Sequence, residues 1–309
     1  MKKIIAVTMI IVLSASAFGV LNATDYNYIA LNYPDSITTV PNGINNAGTV
    51  VGTYNDSSYL AHGFSWNGTT YSSINYPDAT GTWANGINNA GTVVGTYNDS
   101  SYLAHGFSWN GTTYSSIEYP GAMETLAYGI NNAGTVVGFY FDTNGDPHGF
   151  SLNGTTYSSI DYPNARGTAP SGINDQGTIV GYYCDSSRCY GFSTDGTAYS
   201  SIEYPGSPDT AAYSINNAGI IAGRYCDSSR CYGFSTDSIT YSSIEYPGAF
   251  DTVALGINDS GKIVGFYTND HPYFMGGFQG SPLGVPEPAT MLLLGLGLVS
   301  IVGIRRKIE

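Results

Sequence analysis

Residues 126–163 read LAYGINNAGTVVGFYFDTNGDPHGFSLNGTTYSSIDYP, and this stretch decides the fold. Leu126–Ile130 is small and apolar. Asn131-Asn132-Ala133-Gly134 follows as a turn, because Asn and Gly tolerate positive φ. Thr135–Tyr140 is rich in β-branched and aromatic residues, the composition of a strand. A variable loop leads to a third strand centred on Gly149-Phe150-Ser151. Asn153-Gly154 is a two-residue hairpin signal. In the fourth strand, Thr155–Tyr162, alternation puts Tyr157, Ser159 and Asp161 on one face. Pro163 ends it, since proline donates no ladder hydrogen bond.

The same phrases recur along the chain. Gly-Ile-Asn begins at Gly43, Gly86, Gly129, Gly172 and Gly256, with Ser214 in place of the glycine once. Gly-Phe recurs at Phe64, Phe107, Phe150, Phe192, Phe234 and Phe278, and Tyr-Pro at Pro34, Pro77, Pro120, Pro163, Pro205 and Pro247. The period is 43 residues early and 42 later, and residues 42–74 and 85–117 are identical. Four strands per 42–43 residues predicts an all-β fold, a six-bladed β-propeller. The chain opens with a lone fourth strand, Tyr26–Tyr33, and its sixth repeat lacks one, because Gly280-Ser281-Pro282 breaks the pattern. The N-terminal strand is therefore expected to close the last blade and hide two sheet edges. An open β-solenoid is the competing architecture, and it would need capping segments.

The ends have a different character. Lys2 and Lys3, the apolar run Ile4–Leu13, and the small residues Ala15-Ser16-Ala17 and Leu21-Asn22-Ala23 predict a helical signal peptide over residues 1–23. A second apolar run, Met291–Ile304, precedes Arg305-Arg306-Lys307. Its fourteen residues would reach only about 21 Å as a helix, against a hydrocarbon core of about 30 Å. It predicts a short C-terminal membrane anchor whose basic tail stays cytoplasmic. The expected domains are thus 1–23, a repeat domain over 24–284, and an anchor over 285–309.

Val285-Pro286-Glu287-Pro288, the Gly- and Leu-rich run and the basic cluster together resemble the PEP-CTERM sorting signal. That resemblance implies an exosortase-type processing enzyme as partner, a precursor held at the inner membrane, and a product at the cell surface or beyond it, often alongside exopolysaccharide. The repeats resemble the extracellular HAF family at Ala61-His62-Gly63-Phe64, Ala104-His105-Gly106-Phe107 and Pro147-His148-Gly149-Phe150. Cys189-Tyr190-Gly191-Phe192 and Cys231-Tyr232-Gly233-Phe234 take their place later. That family implies an exported β-repeat protein and supplies no activity.

Residues 24–284 hold five basic and 21 acidic side chains, a net charge of −16. Such a field repels phosphate backbones and argues against a nucleic-acid partner. In an exported chain, Cys184 with Cys189 and Cys226 with Cys231 are expected as disulfides across four-residue turns. A four-thiol zinc site is the competing reading, although zinc ribbons space their cysteines more closely.

Candidates for chemistry are few. His62, His105 and His148 share one repeat position, where Tyr190 and Tyr232 also stand, which favours packing over metal ligation. Asp142, Asn144 and Asp146 place oxygens at alternate positions, as at the start of a calcium loop, but without the later bidentate glutamate. Glu118, Asp161, Glu203 and Glu245 recur before Tyr-Pro and read as rim charges. The expected function is a noncatalytic surface or matrix protein that presents a propeller for binding exopolysaccharide or protein partners. Tyr and Trp enrichment, including Trp66, Trp83 and Trp109, suits stacking on such ligands. The competing expectation is a polysaccharide hydrolase or lyase, with nonequivalent residues such as Glu124, Arg166, Asp209 and Asp251 clustered at a channel mouth.

Overall fold

The computed structural model describes residues 26–269 and 275–283. The expected signal peptide, the sorting motif at Val285–Pro288, the anchor and the tail Arg305–Lys307 lie outside the described residues, as does His271.

Six four-stranded antiparallel sheets follow one another. Blade 1 consists of Thr38–Ile44, Val50–Asn55, Ala61–Trp66 and Tyr71–Ile74, running outward from the axis. Blade 6 takes its three inner strands from Asp251–Ile257, Ile263–Thr268 and Met275–Pro282, and its outer strand from Tyr26–Leu31. That N-terminal strand runs antiparallel to Met275–Pro282, with Tyr26 opposite Pro282 and Leu31 opposite Gly277. The expected closure holds, and the strand stops at Leu31 rather than Tyr33. The fourth strand of blade 3 likewise ends at Ile160, two residues short of the expected Tyr162.

Each blade repeats one packing scheme. Phe64, Phe107, Phe150, Phe192, Phe234 and Phe278 are fully buried, each contributing about 1.5–3 kcal/mol relative to exposure. The tyrosine of each Tyr-Pro lies flat on a tyrosine of the following blade, with centroids 3.5–4.0 Å apart from Tyr33–Tyr54 round to Tyr246–Tyr267. Its backbone N–H donates to a buried threonine that opens the next inner strand, as Tyr33 does to Thr39 Oγ1 at 2.9 Å and Tyr246 to Thr252 Oγ1 at 3.0 Å. Twelve of the tyrosines are thereby engaged between blades. Tyrosine enrichment is in large part an answer to blade stacking rather than a ligand signal.

Gly-Ile-Asn marks the point where inner strands crowd the axis. A Cβ on Gly43 would stand 3.0 Å from the Asn85 carbonyl oxygen of the next blade, and one on Gly256 3.0 Å from that of Asn42. Where Ser214 replaces this glycine, its Oγ accepts the N–H of Ile257 at 3.2 Å.

Candidate functional site: the central channel

The first asparagine of each Asn-Asn turn has a role the turn reading did not foresee. Among the residues of the Asn131-Asn132-Ala133-Gly134 turn, only Gly134 takes positive φ. Asn131 is buried instead. Its Oδ1 accepts the N–H of Thr135 at 2.9 Å, and its Nδ2 donates to the carbonyl oxygen of Asn174 in the next blade at 3.1 Å. The Nδ2 bond repeats through Asn45, Asn88, Asn131, Asn174, Asn216 and Asn258 and returns to Asn45, at 3.0–3.4 Å. This closed ring pairs six buried Nδ2 groups that would otherwise cost free energy, on carbonyls that also accept the N–H of their own turn glycine.

A second ring lies just outside it. The N–H of each of Asn46, Asn89, Asn132, Asp175, Asn217 and Asp259 donates to the side-chain Oδ1 of the next member, at 2.8–2.9 Å all the way round. Asp175 also accepts the Nδ2 groups of Asn132 and Asn217, and Asp259 those of Asn46 and Asn217. Burial opposes the charge on Asp175, yet the Asn132 and Asn217 donors hold its carboxyl below the ordinary value.

The two rings form the rim of a cavity of about 290 Å³ on the axis, near the lower end of ordinary ligand sites. Deeper in, the repeats stop being equivalent. The third-last residue before the Asn ring is Asn42, Asn85, Tyr128, Ser171, Tyr213 or Leu255, depending on the blade. Phe139 and Tyr182 reach the cavity from second strands. One side of the wall is therefore amide, where Asn42 and Asn85 donate to the carbonyls of Ala84 and Ala127 at 2.9 Å. The other side is aromatic: Tyr128 stacks on Phe139 at 5.6 Å, and Tyr182 meets Tyr213 edge-on at 6.3 Å. Burial pushes the Tyr128 phenol above its ordinary value, and Tyr182 and Tyr213 add to the shift.

Beside Tyr213 stands the site's one arginine–carboxylate pair among the described residues. Arg224 Nε donates to Tyr213 Oη at 2.8 Å, and Arg224 Nη2 lies 3.5 Å from Asp209 Oδ2. Asp209 Oδ1 is buried and has no hydrogen-bond partner. The pair was invisible in the sequence, because the two residues belong to neighbouring strands and become neighbours only through the sheet register.

The expected mouth cluster does not assemble as such. Glu124, Asp209 and Asp251 are equivalent rather than nonequivalent, each opening an inner strand of its own blade, and Arg166 immediately precedes the same position in blade 4. Glu124 accepts the N–H of Ala104 at 3.2 Å and Asp251 that of Cys231 at 2.8 Å, so these two tie one blade to the one before it. Of the tryptophans, Trp66 and Trp109 pack on Tyr71 and Tyr114, Trp83 lies over Gly81, and none lines the cavity.

The remaining sequence candidates sit at the starts of third strands and on the loops that precede them. His62 Nε2 is 3.2 Å from Asp56 Oδ2, and His105 Nε2 is 3.4 Å from Asp99 Oδ2. Tyr190 and Tyr232 donate their hydroxyls to the matching carboxylates of Asp185 and Asp227, at 3.2 and 3.0 Å. Histidine and tyrosine alternate here because either can bond the loop aspartate. Asp142 Oδ1 accepts the N–H groups of Asn144 and Asp146 at 2.8 and 2.9 Å, and its Oδ2 takes Asn144 Nδ2 at 3.1 Å. The Asp142–Asp146 loop is thus closed by protein donors. Among the described residues, no three His, Cys, Asp or Glu side chains gather as metal ligands. Cys184–Cys189 and Cys226–Cys231 are disulfides, each across a directly paired position at a hairpin end.

Residues 284–307 match the PEP-CTERM protein-sorting motif. None of the curated proteins matches the chain. Among solved structures it is similar to a sialidase of Trypanosoma rangeli, at 10% identity and TM-score 0.50, over 86% of this chain and 58% of that one. It is also similar to the Aleuria aurantia lectin, at 10% identity and TM-score 0.49, over 86% and 98% of the two chains. A third likeness is AofleA from Arthrobotrys oligospora, at 12% identity and TM-score 0.48, over 79% and 84%. The sialidase likeness shows the fold alone. The chain is a six-bladed β-propeller that carries a PEP-CTERM sorting motif, and that motif implies an exported protein.

Proposed function

We propose that this protein is a noncatalytic component of the cell surface that binds a neutral glycan in its central channel. The observation that carries this reading is the divergence of the repeats at the axis. Four aromatic rings, Tyr128, Phe139, Tyr182 and Tyr213, face a cavity whose opposite wall holds the Asn42 and Asn85 amides. An apolar ring face and an amide edge match the two characters of a sugar ring, its C–H faces and its hydroxyl rim. The carboxylates at the rim are already held by asparagine donors, an arrangement suited to binding rather than to proton transfer. Export is supported by the motif at 284–307, and both disulfides fit an oxidising compartment. In the same reading, a processing enzyme of the exosortase type cuts near Val285-Pro286-Glu287-Pro288, and the mass of the exported product measures this directly.

The test of binding is a neutral and anionic glycan panel probed with the full-length protein and with Tyr128→Ala/Tyr182→Ala. Binding of a neutral sugar that the double variant loses supports the channel. No binding across the panel, or no neutral sugar whose binding the double variant loses, overturns it.

A further inference from the structure

Blades 1 and 2 each carry an aromatic residue that the backbone holds outward against its own preference. In Asp56-Ser57-Ser58-Tyr59-Leu60, Asp56 Oδ1 accepts the N–H groups of Ser58 at 2.8 Å and Leu60 at 3.0 Å, and the Tyr59 N–H donates to the Asp56 carbonyl at 3.0 Å. This turn forces φ of +62° on Tyr59, and the identical loop of blade 2 forces +63° on Tyr102. Blade 3 makes the same turn around Asp142 and places Gly145 at that position, with φ of +83°. Glycine is the residue the geometry asks for, because a side chain in the left-handed region meets its own carbonyl. Tyrosine there is left outside the core, with both residues 73% exposed.

The surroundings of the two rings are polar. Serines precede each tyrosine, and the aspartate that closes its turn belongs to a hydrogen-bonded chain. In blade 1, His62 lies between Asp56 at 3.2 Å and Asn75 at 3.1 Å. In blade 2, His105 lies between Asp99 at 3.4 Å and Glu118 at 2.9 Å. Leu60 and Leu103 flank the rings, at 50% and 41% exposure. The loops are equivalent in adjacent blades, so both rings rise from one face of the propeller at successive positions.

We propose that Tyr59 and Tyr102 form a paired platform for one neutral polysaccharide chain, each ring taking the C–H face of a sugar while the neighbouring polar groups meet its hydroxyls. Two equal platforms suit a repeating ligand, and their tethering on one rigid ring turns two weak contacts into one useful affinity. Polyanionic chains are disfavoured by the −16 charge of residues 24–284. A second copy of the protein is disfavoured by area. Two tyrosines of about 150 Å² each and two half-exposed leucines fall well short of the roughly 800 Å² per partner of a stable dimer. This site shares no residue with the channel and does not depend on it.

The experiment uses the full-length protein with Tyr59→Gly, Tyr102→Gly and the double substitution. Binding is read by co-sedimentation with insoluble cellulose and by affinity electrophoresis in a soluble neutral β-glucan, with alginate as the anionic comparison. Glycine relieves the turn, so the variants should melt at the parent temperature or above it, which separates lost binding from lost folding. Each single variant should bind several-fold more weakly and the double variant about 100-fold more weakly. Tyr128→Ala, by contrast, should leave this binding in place. Three results would overturn the proposal: no binding of any neutral polysaccharide by the parent, equal binding by the double variant, or stronger binding of alginate that salt abolishes. Self-association of the parent that disappears in the double variant would also overturn it, by assigning the tips to a contact between copies.

Discussion

Asn258 Nδ2 donates to the carbonyl oxygen of Asn45 across 213 residues of sequence, at 3.0 Å. This bond closes the amide ring at the seam between the last blade and the first. The N-terminal strand closes the same seam from outside, so the propeller is latched at both its inner and outer radius.

The amide ring should be worth more than a turn. Asn131→Ala removes the acceptor of the Thr135 N–H and one of the two donors to the Asn174 carbonyl, which keeps the Gly177 N–H. We expect a loss of about 2–3 kcal/mol, read from the midpoint of urea denaturation. A loss below about 0.5 kcal/mol would mean that water replaces the amide without cost.

The outer latch is tested at Leu31, which is 2% exposed and packs with Ile44, Val50, Phe64 and Val264 from the first and last blades. Leu31→Ala should cost about 2–5 kcal/mol. Deleting residues 24–32 should expose the Met275–Pro282 edge and give aggregation on size-exclusion chromatography.

Alkaline pH should weaken the tyrosine stacks. Burial, with the adjacent Tyr97 hydroxyl, pushes the Tyr76 phenol up to about 12. Burial likewise raises Tyr183 and Tyr225 to about 12. The folded state thus keeps these phenols neutral where the unfolded chain, near 10, would ionise them. The contribution is fully present below pH 10 and is lost as pH rises from 10 towards 12. Tm should be level through neutral pH and fall above 10, whereas a level Tm up to 12 would contradict the assignment.

Reducing the disulfides should be a local event. Each closes a loop of four intervening residues, for which chain entropy predicts about 2 kcal/mol. Dithiothreitol should lower Tm by a few degrees while the far-ultraviolet circular dichroism stays the same, because the ladder around each pair remains.

Calcium should leave Tm unchanged, since Asp142 already accepts the backbone donors of its own turn. A rise of several degrees at millimolar calcium would restore the Asp142, Asn144 and Asp146 site.

Much of the fold was legible because its signals are local. Alternation and Tyr-Pro stops act within a few residues and recur six times, and Asn-Gly marks the outer hairpin in three repeats, at Asn67, Asn110 and Asn153. One clue to the amide ring was also present: Asn216 persists in Ser214-Ile215-Asn216, where the neighbouring glycine is lost. A turn needing only positive φ does not require that asparagine.

By itself, then, the sequence determined the strands, their number per repeat and the offset by which the first strand completes the last blade, because chain order and side-chain period carry all three. Only the tertiary structure decided that the asparagines form rings, that Glu124, Asp209 and Asp251 are one position, and that Tyr128, Phe139, Tyr182 and Tyr213 converge. Those relationships depend on how close six inner strands come to a common axis, a distance set by packing between blades and written in no single repeat.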